Sequence, residues 1–96
     1  MTTTPLAAFK RTMRRIQKRM ICAGARSLTV RQICQAETPL RTPDFARWAQ
    51  EDRRDAKRAN RPRCERDRLR RQAFFYERAA HAVARYLAAI APNTTP

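Results

Sequence analysis

The sequence predicts an all-α fold: three main helices in an antiparallel bundle, with one short helix inserted between the first and the second. Three observations predict it. Apolar residues recur at steps of three and four over two long segments, the signature of helices with one buried face. Glycine occurs once in 96 residues, which removes the residue that tight hairpin turns use most. Alanine, the best helix former, is abundant. A chain this short forms a single domain, 1–96, and buries roughly 60–65% of the surface it exposes when unfolded, so its core is thin.

The first helix is expected over 5–22. Thr4 can accept the first free amide as N-cap, and Pro5 suits the first helical position because its missing N–H would be unpaired there anyway. Leu6, Phe9, Met13, Ile16 and Met20 then form one apolar stripe with cationic residues around it, and Gly24 supplies the C-terminal stop. Ser27 or Thr29 can start a short helix over 28–37 carrying Leu28, Val30, Ile33 and Cys34. Pro39 and Pro43 bracket a connection. Thr42 as cap with Pro43 at the first position begins the next helix, 43–60, which holds Phe45, Trp48, Ala49, Ala56 and Ala59 and stops before Pro62. It is weakly apolar and should cover the core with one edge only. The last helix, 63–91, has the longest stripe: Leu69, Ala73, Tyr76, Ala80, Val83, Leu87 and Ile90. Phe74, Phe75, Ala79, Ala84 and Ala88 widen it beyond what two short helices can cover, which calls for a partner or a buried ligand.

Charge sets the class of partner. Lys and Arg total 22 against 8 Asp and Glu, a net +14 with a pI near 11.6. Self-repulsion of that size favours an anionic companion: nucleic acid, a membrane surface or an acidic protein. Arg outnumbers Lys, which suits forked contacts to carboxylate or phosphate. The first acidic residue is Glu37, and the amphipathic, Arg-rich, acid-free segment before it has the composition of a mitochondrial targeting sequence. A first helix that doubles as an uncleaved address is the economical expectation; a basic RNA-binding arm is the alternative. No run of apolar residues is long enough to span a membrane.

Catalytic chemistry is not expected. There is no glycine-rich phosphate loop, no nucleophile elbow and no orienting group around His81, which falls off the main stripe as a surface residue. Cys22, Cys34 and Cys64 match no paired metal-binding spacing, so no metal site is expected and the thiols read as reduced and semi-buried. A helix-turn-helix over 28–52 is disfavoured because its turn lacks Gly and contains two prolines. The run Arg53 to Arg71, with ten basic and three acidic residues, suits a helical subunit lying along RNA phosphates. A basic RNA-binding structural subunit of a mitochondrial or organellar ribosome is therefore the alternative function.

Three stretches together resemble the LYR family of small mitochondrial three-helix proteins. Ala8-Phe9-Lys10 followed by Met13-Arg14 keeps the spacing of that family's Leu-Tyr-Arg motif. Arg47-Trp48-Ala49-Gln50-Glu51-Asp52-Arg53-Arg54 is similar to its middle helix, often Trp-Ala-Arg-Glu-Glu-Phe-Arg-Arg. Pro62-Arg63, Leu69 and Phe75-Tyr76-Glu77-Arg78 resemble the last helix of its succinate dehydrogenase assembly factors. The tripeptide is Ala, Phe and Lys here, Arg53 stands where the middle helix has Phe, and 22–44 is longer than the family's usual connection.

The resemblance implies a non-catalytic accessory or assembly subunit of the mitochondrial matrix. Such a subunit binds an acidic acyl carrier protein and docks it on a larger respiratory or ribosomal complex. Phe9, Lys10, Arg11, Arg14, Arg15 and Lys18 would then face the carrier. Met13, Ile16, Tyr76, Ala80, Val83 and Leu87 would line a groove for the carrier's acyl chain. No cofactor of the chain's own is implied; the acyl-phosphopantetheine would come with the carrier.

Overall fold

The computed structural model describes residues 4–36, 42–58 and 60–91. Among these the chain is all-helical, with four helices and no strand: α1 Pro5–Cys22, α2 Leu28–Gln35, α3 Phe45–Ala56 and α4 Arg63–Ile90.

Local chemistry sets the ends of α1. The Ala7 N–H donates to Thr4 Oγ1 at 3.2 Å, and Pro5 occupies the first helical position. At the other end Gly24 takes φ +70°, Gly24 N–H donates to the Ile21 carbonyl at 3.1 Å and Ala25 N–H to the Met20 carbonyl at 2.8 Å. Those two bonds with a left-handed residue make a Schellman stop, which needs glycine because a Cβ disfavours that φ. Ser27 occupies the N-cap of α2 without a side-chain bond, and α2 ends at Gln35, short of 37.

The expected start of α3 at Pro43, capped by Thr42, is corrected. Asp44 is the cap, its Oδ1 accepting from Arg47 N–H at 3.1 Å, and the helix begins at Phe45. Both residues are good caps, and the carboxylate also complements the positive helix end. At the far end α3 stops at Ala56, so Lys57 and Arg58 fall in the turn rather than in the helix. Ala59, assigned to this helix from the sequence, lies outside the described residues.

α4 is the central element, about 42 Å long at 1.5 Å per residue, and both α1 and α3 pack on it; α2 packs on α1. Phe9 near the start of α1 meets Tyr86 near the end of α4, with ring centroids 4.9 Å apart, while Arg71 reaches the Ala23 carbonyl at 3.4 Å. The core joins Phe9, Met13, Ile16 and Met20 of α1 to Val30 and Ile33 of α2, Phe45 of α3, and Phe75, Ala79 and Ala82 of α4.

This arrangement divides the apolar stripe read for α4. The residues most buried are Gln72, Ala73, Phe75, Ala79 and Ala82. Leu69, Tyr76, Ala80 and Val83 are half-buried, and Leu87 and Ile90 are 53% and 49% exposed. One helix lies between two others and so needs two buried faces. Tyr76 serves the α3 side, its ring 5.8 Å from that of Phe45 and 5.4 Å from that of Trp48. At twelve residues, or about 18 Å, α3 is too short to cover the last turns of α4.

A candidate binding groove between the first and last helices

Along one flank of the contact between α1 and α4 runs a groove of about 590 Å³. Its floor is the outer edge of the core: Phe9, Ile16, Phe75, Ala82 and Tyr86. Its rim is cationic, with Arg15 and Arg19 from α1 and Arg78 and Arg85 from α4, joined by His81. Ala8, Thr12 and Phe74 complete the walls, and no carboxylate lines it among the described residues.

Helical spacing builds both walls. Ala8, Thr12, Arg15 and Arg19 follow one another at steps of four, three and four, and so do Phe74, Arg78, His81 and Arg85. Each set therefore forms one ridge beside its helix's buried stripe. The Thr12 hydroxyl donates to the Ala8 carbonyl at 3.1 Å, which satisfies that polar group within the α1 wall. Phe74 is 44% exposed, and the Arg78 guanidinium lies over its ring, 5.2 Å from the centroid. That cation–π contact holds Arg78 at the rim.

An apolar floor under a four-arginine rim discriminates by amphiphilicity. Burial in the floor stabilises an apolar ligand by about 0.8 kcal/mol per methylene, while exposed ion pairs at the rim add about 0–1 kcal/mol each. A ligand must have an apolar body and an anionic head to use both. Among the described residues no group of three or more His, Cys, Asp or Glu could hold a metal ion.

Set against protein-family models, curated proteins and solved structures, the chain matches none.

The residues expected to line an acyl groove fall in three places. Ile16 lines this groove. Met13 is fully buried in the core, because it sits at the centre of the α1 stripe. Tyr76, Ala80 and Val83 are partly buried against the core, with Tyr76 on the α3 side, and Leu87 is on the exposed end of α4. Of the residues expected to face a partner, Arg11, Arg14, Arg15 and Lys18 are exposed, and Lys10 is half-buried near Cys34. Phe9 is 3% exposed, its ring tilted against that of Tyr86, and it forms part of the core and of the groove floor. Arg19, Phe74, Arg78, His81, Ala82, Arg85 and Tyr86 also line the groove, and the sequence signal for most of them is the pair of four-three-four ladders.

On the other side of α4, Arg26, Trp48, Glu51, Asp52 and Tyr76 surround a smaller recess of about 390 Å³. Burial pushes the Asp52 carboxyl above its usual range, Asp55 and Glu51 add to this, and Arg26 opposes it. One of its oxygens, Oδ2, is sealed from solvent without a hydrogen-bond partner. A raised folded-state pKa means the folded protein binds more protons than the unfolded chain just above the ordinary carboxylate range, so stability falls as pH rises through that window. Asp52→Asn is therefore expected to melt a few degrees higher than the parent at pH 7. The gain should shrink as the pH approaches about 4, where the parent carboxyl is protonated too. Thermal melts of both proteins across that range would show it, and a constant gain at all pH values would contradict this account of Asp52.

Proposed function

We propose that the chain is a non-catalytic, LYR-like accessory or assembly subunit of the mitochondrial matrix. In this reading it binds an acidic acyl carrier protein and holds it on a larger respiratory or ribosomal complex, and its three main helices form an antiparallel bundle. The observation that carries the reading is the groove itself: an apolar channel under a rim of Arg15, Arg19, Arg78 and Arg85 with no carboxylate in its lining. The exposed Arg11, Arg14 and Lys18 extend the same positive field along α1, whose 18 residues include no acid.

Electrostatics and burial have separate tasks here. The net +14 steers an acidic partner to α1 and sets register. The acyl chain of the carrier then lies on Phe9, Ile16, Phe75, Ala82 and Tyr86, with its phosphate linker beside the rim arginines. Ten methylenes leaving water contribute roughly 8 kcal/mol before ordering costs, far more than exposed ion pairs. The carrier's group supplies the apolar payload, and this chain supplies the surface that shields it.

The test is affinity purification of the full chain from its native cells with intact-mass analysis of what stays bound after a high-salt wash. An acidic protein carrying an acyl-phosphopantetheine mass is the expected companion. A preparation that retains only partners without an acyl group would overturn the reading.

A further inference from the structure

The end of the molecule formed by the α3–α4 connection has chemistry that the groove does not use. Residues 53–71 contain ten basic and three acidic residues, a net +7 that is half of the chain's +14. The three acids are each paired at this end: Asp55 with Arg58 at 3.5 Å, Glu65 with Arg61 at 3.4 Å and Asp67 with Arg70 at 3.6 Å. Arg54, Lys57, Arg63 and Arg68 are exposed and have no carboxylate within ion-pair distance among the described residues. The turn that presents them is internally bonded. Lys57 N–H donates to the Arg54 carbonyl, Arg61 N–H to that of Arg58, and Arg66 Nε to the Arg61 carbonyl at 3.0 Å.

What this end lacks identifies the partner. Protein interfaces draw their affinity from a few buried aromatic or aliphatic anchors. Among the described residues the exposed large apolar ones are Ile21, Leu28, Phe74, Leu87 and Ile90, and none falls within 53–71. An acidic protein would find charge there and nothing to bury. The segment also has no aromatic residue, so it offers no platform on which unpaired bases could stack. Forked guanidinium groups, dense in the sequence of this end and without anchors or stacking platforms, match a regular array of phosphates.

We propose that the α3–α4 end binds the phosphate backbone of a nucleic-acid double helix, without reading its sequence. This surface is separate from the groove and stands whether or not the groove takes an acyl chain. From Arg66 to Ala82 is about 24 Å along α4, so the two ligands need not exclude each other. A subunit so equipped joins an acidic protein at one end to a nucleic-acid helix at the other.

The experiment is fluorescence anisotropy of the full chain against a labelled 20-base-pair duplex RNA and the same sequence as duplex DNA, from low to physiological salt. Two charge-matched double variants are compared, Arg63→Gln/Arg68→Gln at this end and Arg31→Gln/Arg47→Gln elsewhere, with helical content checked by circular dichroism. Each lost phosphate contact makes the log–log salt slope shallower by about 0.7–0.9, so the first variant should bind tenfold or more weakly at physiological salt. The second should stay within about twofold, the level of a change in net charge alone. The duplex held more tightly identifies which helix is the ligand. Equal weakening by both variants, or a preference for single strands or polyglutamate over either duplex, would overturn the proposal.

Discussion

Replacing Ala8 by Trp is expected to abolish retention of an acylated carrier while leaving the helical fold intact. Ala8 is exposed on the α1 wall of the groove, outside the buried stripe of Phe9, Met13, Ile16 and Met20. The new indole therefore has open space to occupy, and that space is the groove. An acyl chain of ten methylenes would lose most of a gross stabilisation of roughly 8 kcal/mol. The rim arginines cannot replace it, since exposed pairs contribute about 0–1 kcal/mol each and weaken with salt. A loss of affinity of more than a hundredfold is the expected result, measured by calorimetry with acylated and unacylated carrier.

The two forms of carrier separate the roles of floor and rim. The Ala8→Trp protein should bind both forms about equally, because only the charge-driven part of the interaction remains. The parent should prefer the acylated form strongly. If Ala8→Trp keeps that preference, the chain enters elsewhere and the groove between α1 and α4 is not its seat.

How much of this was legible in the sequence depends on the range of the interaction that decides each feature. Thr4, Pro5 and Gly24 act within one helical turn, so both ends of α1 follow from residue type alone. The start of α3 did not, because Thr42 and Asp44 are both competent caps two residues apart and local chemistry alone does not rank them. The α4 stripe from Leu69 to Ile90 has the periodicity of a single buried face. A helix packed between two neighbours spreads its burial over Phe75, Ala79 and Ala82 on one side and Ala73 and Tyr76 on the other. The groove was the least legible part. It lies between ridges 66 residues apart in sequence, and each ridge alone reads as an ordinary mixed helix surface. The charge predicted the character of the rim, but only the packing of α1 on α4 placed Arg15 and Arg19 opposite Arg78 and Arg85.

Gln72 shows the same limit with a larger energetic consequence, since a lone polar residue in a long helix gives no sign that it will be buried. It is 5% exposed, and its amide makes two bonds to one residue across the fold. Oε1 accepts from Arg26 N–H at 2.7 Å, and Nε2 donates to the Arg26 carbonyl at 2.9 Å. Residues 25–27 connect α1 to α2; Ala25 and Ser27 each bond to a neighbouring helix, whereas the Arg26 N–H and carbonyl pair with this amide. Gln72→Leu keeps the volume but leaves one backbone donor and one acceptor unpaired, each at about 1–3 kcal/mol when buried. Part of that cost is offset by burying the leucine and part by partial solvent access to Arg26. A net loss of about 2–3 kcal/mol is expected, seen as a fall in Tm on the order of 10–20 °C for a domain of this size. Gln72→Glu can still accept from the Arg26 N–H but cannot donate to its carbonyl when ionised. Its melting temperature should recover toward the parent as the pH is lowered and the carboxyl gains a proton to donate. If Gln72→Leu melts with the parent, the connection between α1 and α2 is held by other contacts and Gln72 is only a spacer.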